Sequence, residues 1–233
     1  MNEPQPRTID LLAVSVGKPK VIGALSNGKP VRSGIRKERV TGETIIVGKT
    51  NLAGDKQADP RVHGGPDKAI YVYPSEHLPV WTAELGFDAP LGPNAFGENL
   101  TIAGIVETDA CIGDVWKWGS ALVQISQPRG PCYKQEIALD RPGLIPVFAH
   151  SGRTGWYLRV LEPGEAPVGG PITLVERHPV ELTVWEANHA RMIGTDETLI
   201  EKALAVPELA YAWSRGLKVG MRAQKPHANT TES

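Results

Sequence analysis

The sequence predicts a mainly β protein whose sheet curls into a barrel, followed by a small helical segment. Three observations predict it. Gly and Pro together make up about a fifth of the 233 residues, without any period, and they separate short apolar runs rich in β-branched and aromatic residues. Few intervals between those runs are long or periodic enough for a crossover helix, so the sheet is expected to be antiparallel and closed. After Pro179 the texture changes to helical periodicity with good caps. Hydrophobic residues at 41% and charged residues at 22% give enough apolar material for a real core and exclude a disordered chain.

Residues 1–8 are polar and contain two prolines, so they read as a loose lead-in. Strands are expected at 11–16, 43–47, 69–73, 114–118, 122–126, 155–161 and 171–176, each bounded by turn residues. Two short helical insertions are expected at 75–85, opening on Ser75, and at 141–150, with Pro142 in its first turn. Beyond the barrel, Thr183 and Glu186 form a capping-box pattern for a helix through Ile193. Asp196 caps a second helix to about Val206, and Pro207 starts a third. The chain thus divides into a barrel domain over 9–178 and a three-helix domain over 179–224, with flexible tails at 1–8 and 225–233.

Lys plus Arg number 25 against 26 Asp plus Glu, a net charge of −1, so no global field exists to hold nucleic acid or an anionic membrane. Arg215, Lys218, Arg222 and Lys225 give the last helix a basic face, which reads as a solvated surface near a helix C-terminus and not as a recognition helix. Cys111 and Cys132 are too few for a disulfide framework and lack the paired spacing of a zinc site, pointing to a reducing compartment. With no apolar run of membrane-spanning length and no cleavage-site pattern, a cytoplasmic location is expected.

Three segments concentrate reactive residue types. The stretch 54–68, GDKQADPRVHGGPDK, places Gly64 and Gly65 where positive φ and consecutive amides suit an anion, with Lys56, His63 and Lys68 able to add charge. A plain Gly-Gly turn into the next strand explains it equally well. In the stretch 96–100, FGENL, Gly97 permits close backbone approach and Asn99 offers donor and acceptor, although a hairpin turn is the structural alternative. In the stretch 127–134, QPRGPCYK, Cys132 sits between Arg129 and Lys134 in a proline-pinned turn ahead of a helical turn, a setting that favours the thiolate and hence metal binding. An inert buried thiol remains the alternative for Cys132, and it is the expectation for Cys111. No GxSxG elbow, HExxH helix, Walker A loop or dinucleotide fingerprint is present.

Taken in order, GDKQADPRVHGGPDKAIYVYP, FGENLT, GDVWKWG and ISQPRGPCYK, followed by a helical C-terminal segment, resemble the MOSC-domain superfamily. That superfamily is named after the C-terminal domain of molybdenum cofactor sulfurase. Within it the chain is similar to the stand-alone bacterial YiiM-like subgroup with a three-helix extension, over about residues 12 to 220.

The resemblance implies a MOSC-type β-barrel with short helical insertions that holds a mononuclear molybdenum on one molybdopterin, Cys132 being the protein thiolate on the metal. The implied activity is reduction of N-hydroxylated compounds such as 6-hydroxylaminopurine, hydroxylamines and amidoximes, which detoxifies base analogues. His63, Gly64, Gly65, Asp67 and Lys68, with Arg129 and Lys134, become the candidate cradle for the pterin and its phosphate. Asn99, Ser126 and Gln127 become candidates for hydrogen bonds to the pterin ring or the metal's oxo group. The chain has no pattern for an iron-sulfur cluster, flavin or nicotinamide, so a separate flavoprotein or iron-sulfur reductase is expected as electron donor, together with homodimer formation. Two other readings stay open: a sulfur carrier holding a persulfide on Cys132, and a non-enzymatic module that binds an anion or pterin.

Overall fold

The computed structural model describes residues 7–59 and 64–224, with side chains through 221. The elements in chain order are strands β1 (Thr8–Val16), β2 (Lys20–Ala24), β3 (Pro30–Ser33), β4 (Glu38–Arg39) and β5 (Thr44–Val47), then a 3-10 turn (Pro66–Lys68), β6 (Ile70–Pro74) and helix α1 (His77–Glu84). They continue as β7 (Leu100–Ala103), β8 (Val115–Trp118), β9 (Ala121–Pro128), α2 (Tyr133–Leu139), α3 (Leu144–Ser151), β10 (Trp156–Glu162), β11 (Gly164–Pro167) and β12 (Gly170–Glu176). Helices α4 (Val184–Met192), α5 (Glu197–Leu204) and α6 (Tyr211–Gln224) close the described chain.

Among the described residues seven strands close into a barrel in the order β12-β8-β9-β10-β6-β7-β1, with β1 returning to pair with β12 from Thr8↔Thr173 to Leu11↔Gly170. Thr8 therefore belongs to the sheet and not to the lead-in, and the Arg7 carbonyl accepts a hydrogen bond from the Leu174 amide. The ladder is antiparallel except between β6 and β7, which pair in parallel with Val72 opposite Leu100. Parallel neighbours cannot be joined by a tight turn, and α1 supplies the one crossover of this barrel ladder. Strand β1 shows why the barrel closes: Ile9, Leu11, Ala13 and Val14 are buried while Thr8, Asp10 and Leu12 are exposed, so one face of the pleat is committed to the interior.

The C-terminal helices join this core. Residues 182–184 lie along the 110–112 segment through Ile112 N–H to Leu182 O and Val184 N–H to Ala110 O, both 2.8 Å. Val184, Ala187, Ala203, Trp213 and Leu217 are buried in the same hydrophobic cluster as the barrel strands. The caps form as the sequence indicates: Thr183 Oγ1 accepts from the Glu186 amide at 3.0 Å, Glu186 Oε2 accepts from the Thr183 amide at 2.8 Å, and Asp196 Oδ1 accepts from the Leu199 amide at 3.0 Å. Two starts differ. The last helix begins at Tyr211 and not at Pro207, because the Ala210 amide is bound to Ser126 O at 2.9 Å and holds that turn against β9. Helix α3 begins at Leu144 after Gly143 at φ 84°, leaving Pro142 outside it. A second cluster of Tyr71, Tyr73, Trp81, Phe96 and Phe148 fills the space between β6, α1 and α3, with the Trp81 indole donating to Tyr73 Oη at 2.6 Å.

No helix among the described residues is long and apolar enough to cross a membrane.

A candidate cofactor cleft

Cys132 is placed by what ends β9 and what begins α2. The last strand residue is Pro128, which has no amide to continue the ladder, and the Arg129 amide turns to Gly155 O at 3.1 Å. The chain runs through Gly130 and Pro131 to Cys132, an extended residue (φ −145°, ψ 132°) that is the N-cap of α2. Gln135 fastens this turn: its Oε1 accepts from the Cys132 amide at 3.2 Å and from Arg129 Nη1 at 2.9 Å, and its own amide donates to Cys132 O at 2.8 Å. Arg129 Nη1 also donates to Gly130 O at 2.6 Å. Cys132 is half-buried and lines an open cleft.

The cleft is strongly cationic. Among the described residues Lys37, Lys56, Lys68, Arg129 and Lys134 line it against one carboxylate, that of Asp55. Lys37 and Asp55 form a buried ion pair with side chains 8% and 1% exposed, and Asp55 Oδ1 also accepts from the Gly17 amide at 2.8 Å. Burial lowers the Lys37 pKa against the pull of Asp55. Burial lowers that of Lys68 too, reinforced by the positive charges of Arg191 and Arg129. Burial disfavours the charge of Arg129, but a guanidinium is not deprotonated in proteins, and Arg129 stays a cation. The floor is aromatic: the Arg129 guanidinium lies 5.1 Å from the Tyr71 ring centre, and burial raises the pKa values of both Tyr71 and Tyr157, keeping their hydroxyls protonated. Gly97, at φ 82°, lets the facing loop approach, since a Cβ there would collide with Ile35 Cγ1.

Cys132, Lys68, Asn99, Arg129 and Lys134 meet at this cleft. Asn99 lines it, yet its amide group also pins the wall, accepting from the Tyr71 amide at 3.0 Å and donating to Ser15 O at 3.1 Å. Other expected site residues stand apart from it. Asp67 pairs with Arg159 at 2.8 Å, and Ser126 Oγ is 2.6 Å from Asp67 O and 3.0 Å from Tyr157 O, so both groups tie β9, β10 and the 3-10 turn together. Gln127 is buried beside the Cys132 turn, its Nε2 donating to Pro128 O at 3.2 Å. Gly64 and Gly65 precede the 3-10 turn without lining the cleft, and Gly65 takes φ 95°. His63 lies outside the described residues.

Among the described residues six buried polar side-chain atoms lack a hydrogen-bond partner, and three of them, Gln127 Oε1, Arg129 Nε and Gln135 Nε2, belong to the segment that carries Cys132. Buried polar groups are normally satisfied, and unmatched atoms on both sides of the thiol turn suit a polar ligand there. Among the described residues no group of three or more His, Cys, Asp or Glu side chains is placed to hold a metal ion. A single thiol beside cations and unmatched polar atoms suits a metal that arrives with its own organic ligand.

A family model of the MOSC domain matches residues 59–173. YflK of Bacillus subtilis is 39% identical over 204 residues, spanning 87% of this chain and 90% of that protein. The chain belongs to the MOSC-domain family.

MOSC domains are associated in general with binding of the molybdenum cofactor. The crystal structure of YiiM from Geobacillus stearothermophilus superposes on this MOSC protein with a TM-score of 0.75 at 33% identity, covering 91% of this chain and 99% of that one. A Gibberella moniliformis protein named "Reductase" is 35% identical over 176 residues, which span 75% of this chain and 30% of the relative.

Several groups of the MOSC cleft escape the sequence reading. Lys37 and Tyr157 sit in a loop and a strand whose composition carries no motif, while Asp55 and Tyr71 lie within the stretch 54–74 without being singled out, and only the fold brings all four to the cleft of Cys132. Cys111 is buried as expected, but it is not remote from charge: Arg177 Nη1 lies 2.8 Å from its Sγ, and burial together with Asp114 pushes its pKa up to about 11.

Proposed function

We propose that this MOSC protein is a molybdenum-cofactor-dependent reductase of N-hydroxylated compounds, with Cys132 as the protein thiolate that meets the metal. The observation that carries the reading is the position of Cys132 at a cleft lined by Lys68, Arg129 and Lys134, beside the unmatched polar atoms of Gln127, Arg129 and Gln135. Those residues fit a pterin that ends in phosphate. Each charge-assisted contact to the phosphate is worth about 1.5–3 kcal/mol, and Arg129 is held ready for one by Gln135. The fungal relative named "Reductase" adds support for redox chemistry.

When bound, the cofactor supplies a two-electron redox centre. Reduction of an N–OH group consumes two electrons and two protons and releases the amine or amidine and water. The chain's own residues bind and orient: the cations hold the anionic end, Gln135 and Arg129 fix the turn that carries the thiol, and Tyr71, Phe96 and Tyr157 give an apolar floor that keeps water away. The electrons come from a separate flavoprotein or iron-sulfur reductase. The protein acts in the cytoplasm as a homodimer, on small N-hydroxylated substrates and not on nucleic acid.

The test is turnover. Protein made in a cell competent for molybdenum cofactor synthesis should reduce 6-hydroxylaminopurine with a chemical electron donor, and Cys132→Ser should abolish that activity. Equal activity in the Cys132→Ser protein would overturn the reading, and a persulfide on Cys132 of a molybdenum-free protein would favour sulfur transfer instead.

A further inference from the structure

Residues 17–39 leave β1, form the β2–β3 hairpin and return through β4. They hold seven Lys or Arg and one Glu, a local charge of +6 in a chain whose net charge is −1. Lys18, Lys20, Lys29, Arg32, Arg36 and Arg39 are all exposed, whereas Lys37 is the buried partner of Asp55. Among the described residues one of the exposed six meets a carboxylate, Lys20, which pairs with Glu38 at 3.3 Å. The three arginines are held by neutral groups instead. Arg32 Nη2 donates to Pro19 O at 2.9 Å, Arg36 Nη2 to Ile22 O at 3.2 Å and Arg39 Nη2 to Leu12 O at 2.9 Å. A carbonyl orients a guanidinium without cancelling its charge, so these cations are fixed in place and still open to an anion.

The segment is rooted at the cofactor cleft. Ser33, Gly34 and Ile35 line the same cleft as Cys132, and the Lys56 amide donates to Gly17 O at 2.9 Å at the other end of the excursion. Strand β2 packs against α2, the helix whose N-cap is Cys132. Val21 and Leu25 of the hairpin and Tyr133 at the start of α2 are exposed apolar side chains on these same elements. Arginine with aliphatic and aromatic anchors is the composition of a protein interface, and a phosphodiester backbone would leave the anchors nothing to bury against.

We propose that the 17–39 excursion is the docking surface for the electron donor, and that this donor is a small redox carrier whose flavin or iron-sulfur centre is ringed by Asp and Glu. The need for a donor at the cleft rests on the function proposed above. Complementary charge steers such a carrier to the hairpin and leaves its redox centre beside the cleft mouth. The docking itself needs no molybdenum, so it can be read on cofactor-free protein.

The experiment is calorimetric titration of the full-length, cofactor-free chain with an acidic flavodoxin and, separately, with an acidic [2Fe–2S] ferredoxin. It is run at about 10 mM ionic strength, where the Debye length is about 30 Å. Wild type should bind at least one carrier, and Arg32→Glu with Arg36→Glu should raise the Kd about tenfold. Lys18→Glu with Lys29→Glu should do the same; these ammonium groups make no hydrogen bond among the described residues, so this pair reads the surface even where the arginine pair distorts the hairpin. Arg215→Glu with Lys218→Glu, on the exposed face of α6, makes the same change in net charge and should move the Kd less than about threefold. Wild type that binds neither carrier, an unchanged Kd in both hairpin variants, or an equal loss in the α6 variant would overturn the proposal. So would tighter binding to duplex DNA, or to vesicles of phosphatidylcholine with phosphatidylserine, at the same ionic strength. Molybdenum content of Cys132 variants, measured separately, reads the underlying function, so the two failures are distinguishable.

Discussion

The buried guanidinium of Arg129 and the amide of Cys132 share one acceptor, Oε1 of Gln135, at 2.9 and 3.2 Å. A cation that faces the cleft is thereby linked through one oxygen to the residue that bears the thiol. Gln135→Leu keeps the volume but strands both donors in a buried turn, and a lost hydrogen bond to a charged group costs about 1.5–3 kcal/mol. The variant should unfold at lower urea concentration by that amount, with an unchanged m-value.

The Lys37–Asp55 pair predicts a non-additive pattern. Asp55→Leu leaves the buried ammonium uncompensated and should destabilise by about 3–5 kcal/mol, whereas the double replacement Lys37→Met with Asp55→Leu should lose far less than the sum of the two single changes. Equilibrium denaturation of the four proteins gives the coupling directly.

Cys111 predicts a pH effect. Its folded pKa of about 11 is above its ordinary 9.0, so folding favours the protonated thiol. The contribution is complete below pH 9, where both states hold the proton. It is lost as pH rises from 9 towards 11, where the unfolded chain has released the proton and the folded chain has not. Cys111→Ala should flatten the fall in stability over that window, measured by urea titration at successive pH values.

Thr183 caps α4 and also lies in the bridge to Cys111 that docks the C-terminal helices. Thr183→Ala should cost about 1 kcal/mol, while Thr183→Ser should be near neutral because it keeps the oxygen that accepts from Glu186. Thermal melts of the two variants separate the cap from the rest of the side chain.

How much of this was legible in sequence follows from the range of the interactions. Local signals were readable: the caps at Thr183 and Asp196, the seven expected strands, and the proline-pinned turn at Cys132 with its flanking cations. The β2–β3 hairpin was missed although Asn27-Gly28 is a hairpin signal, and β7 was missed because its four residues are almost all buried and show no alternation. Asp67 and Ser126 had ligand-like side chains, but the fold satisfies one with Arg159 and the other with backbone carbonyls, pairings that depend on partners up to 92 residues away. The Lys37–Asp55 pair was invisible for the same reason: Lys37 lies in no motif, Asp55 lies in the stretch 54–68 without its partner, and their value comes from being buried together.

Metal content tests most directly whether Cys132 holds a molybdenum centre. Chain purified from a cell that makes molybdenum cofactor should carry about one molybdenum per protein, and Cys132→Ala from the same host should carry almost none while remaining folded. Wild-type protein without molybdenum above background, or a Cys132→Ala protein that retains the full complement, would contradict the account.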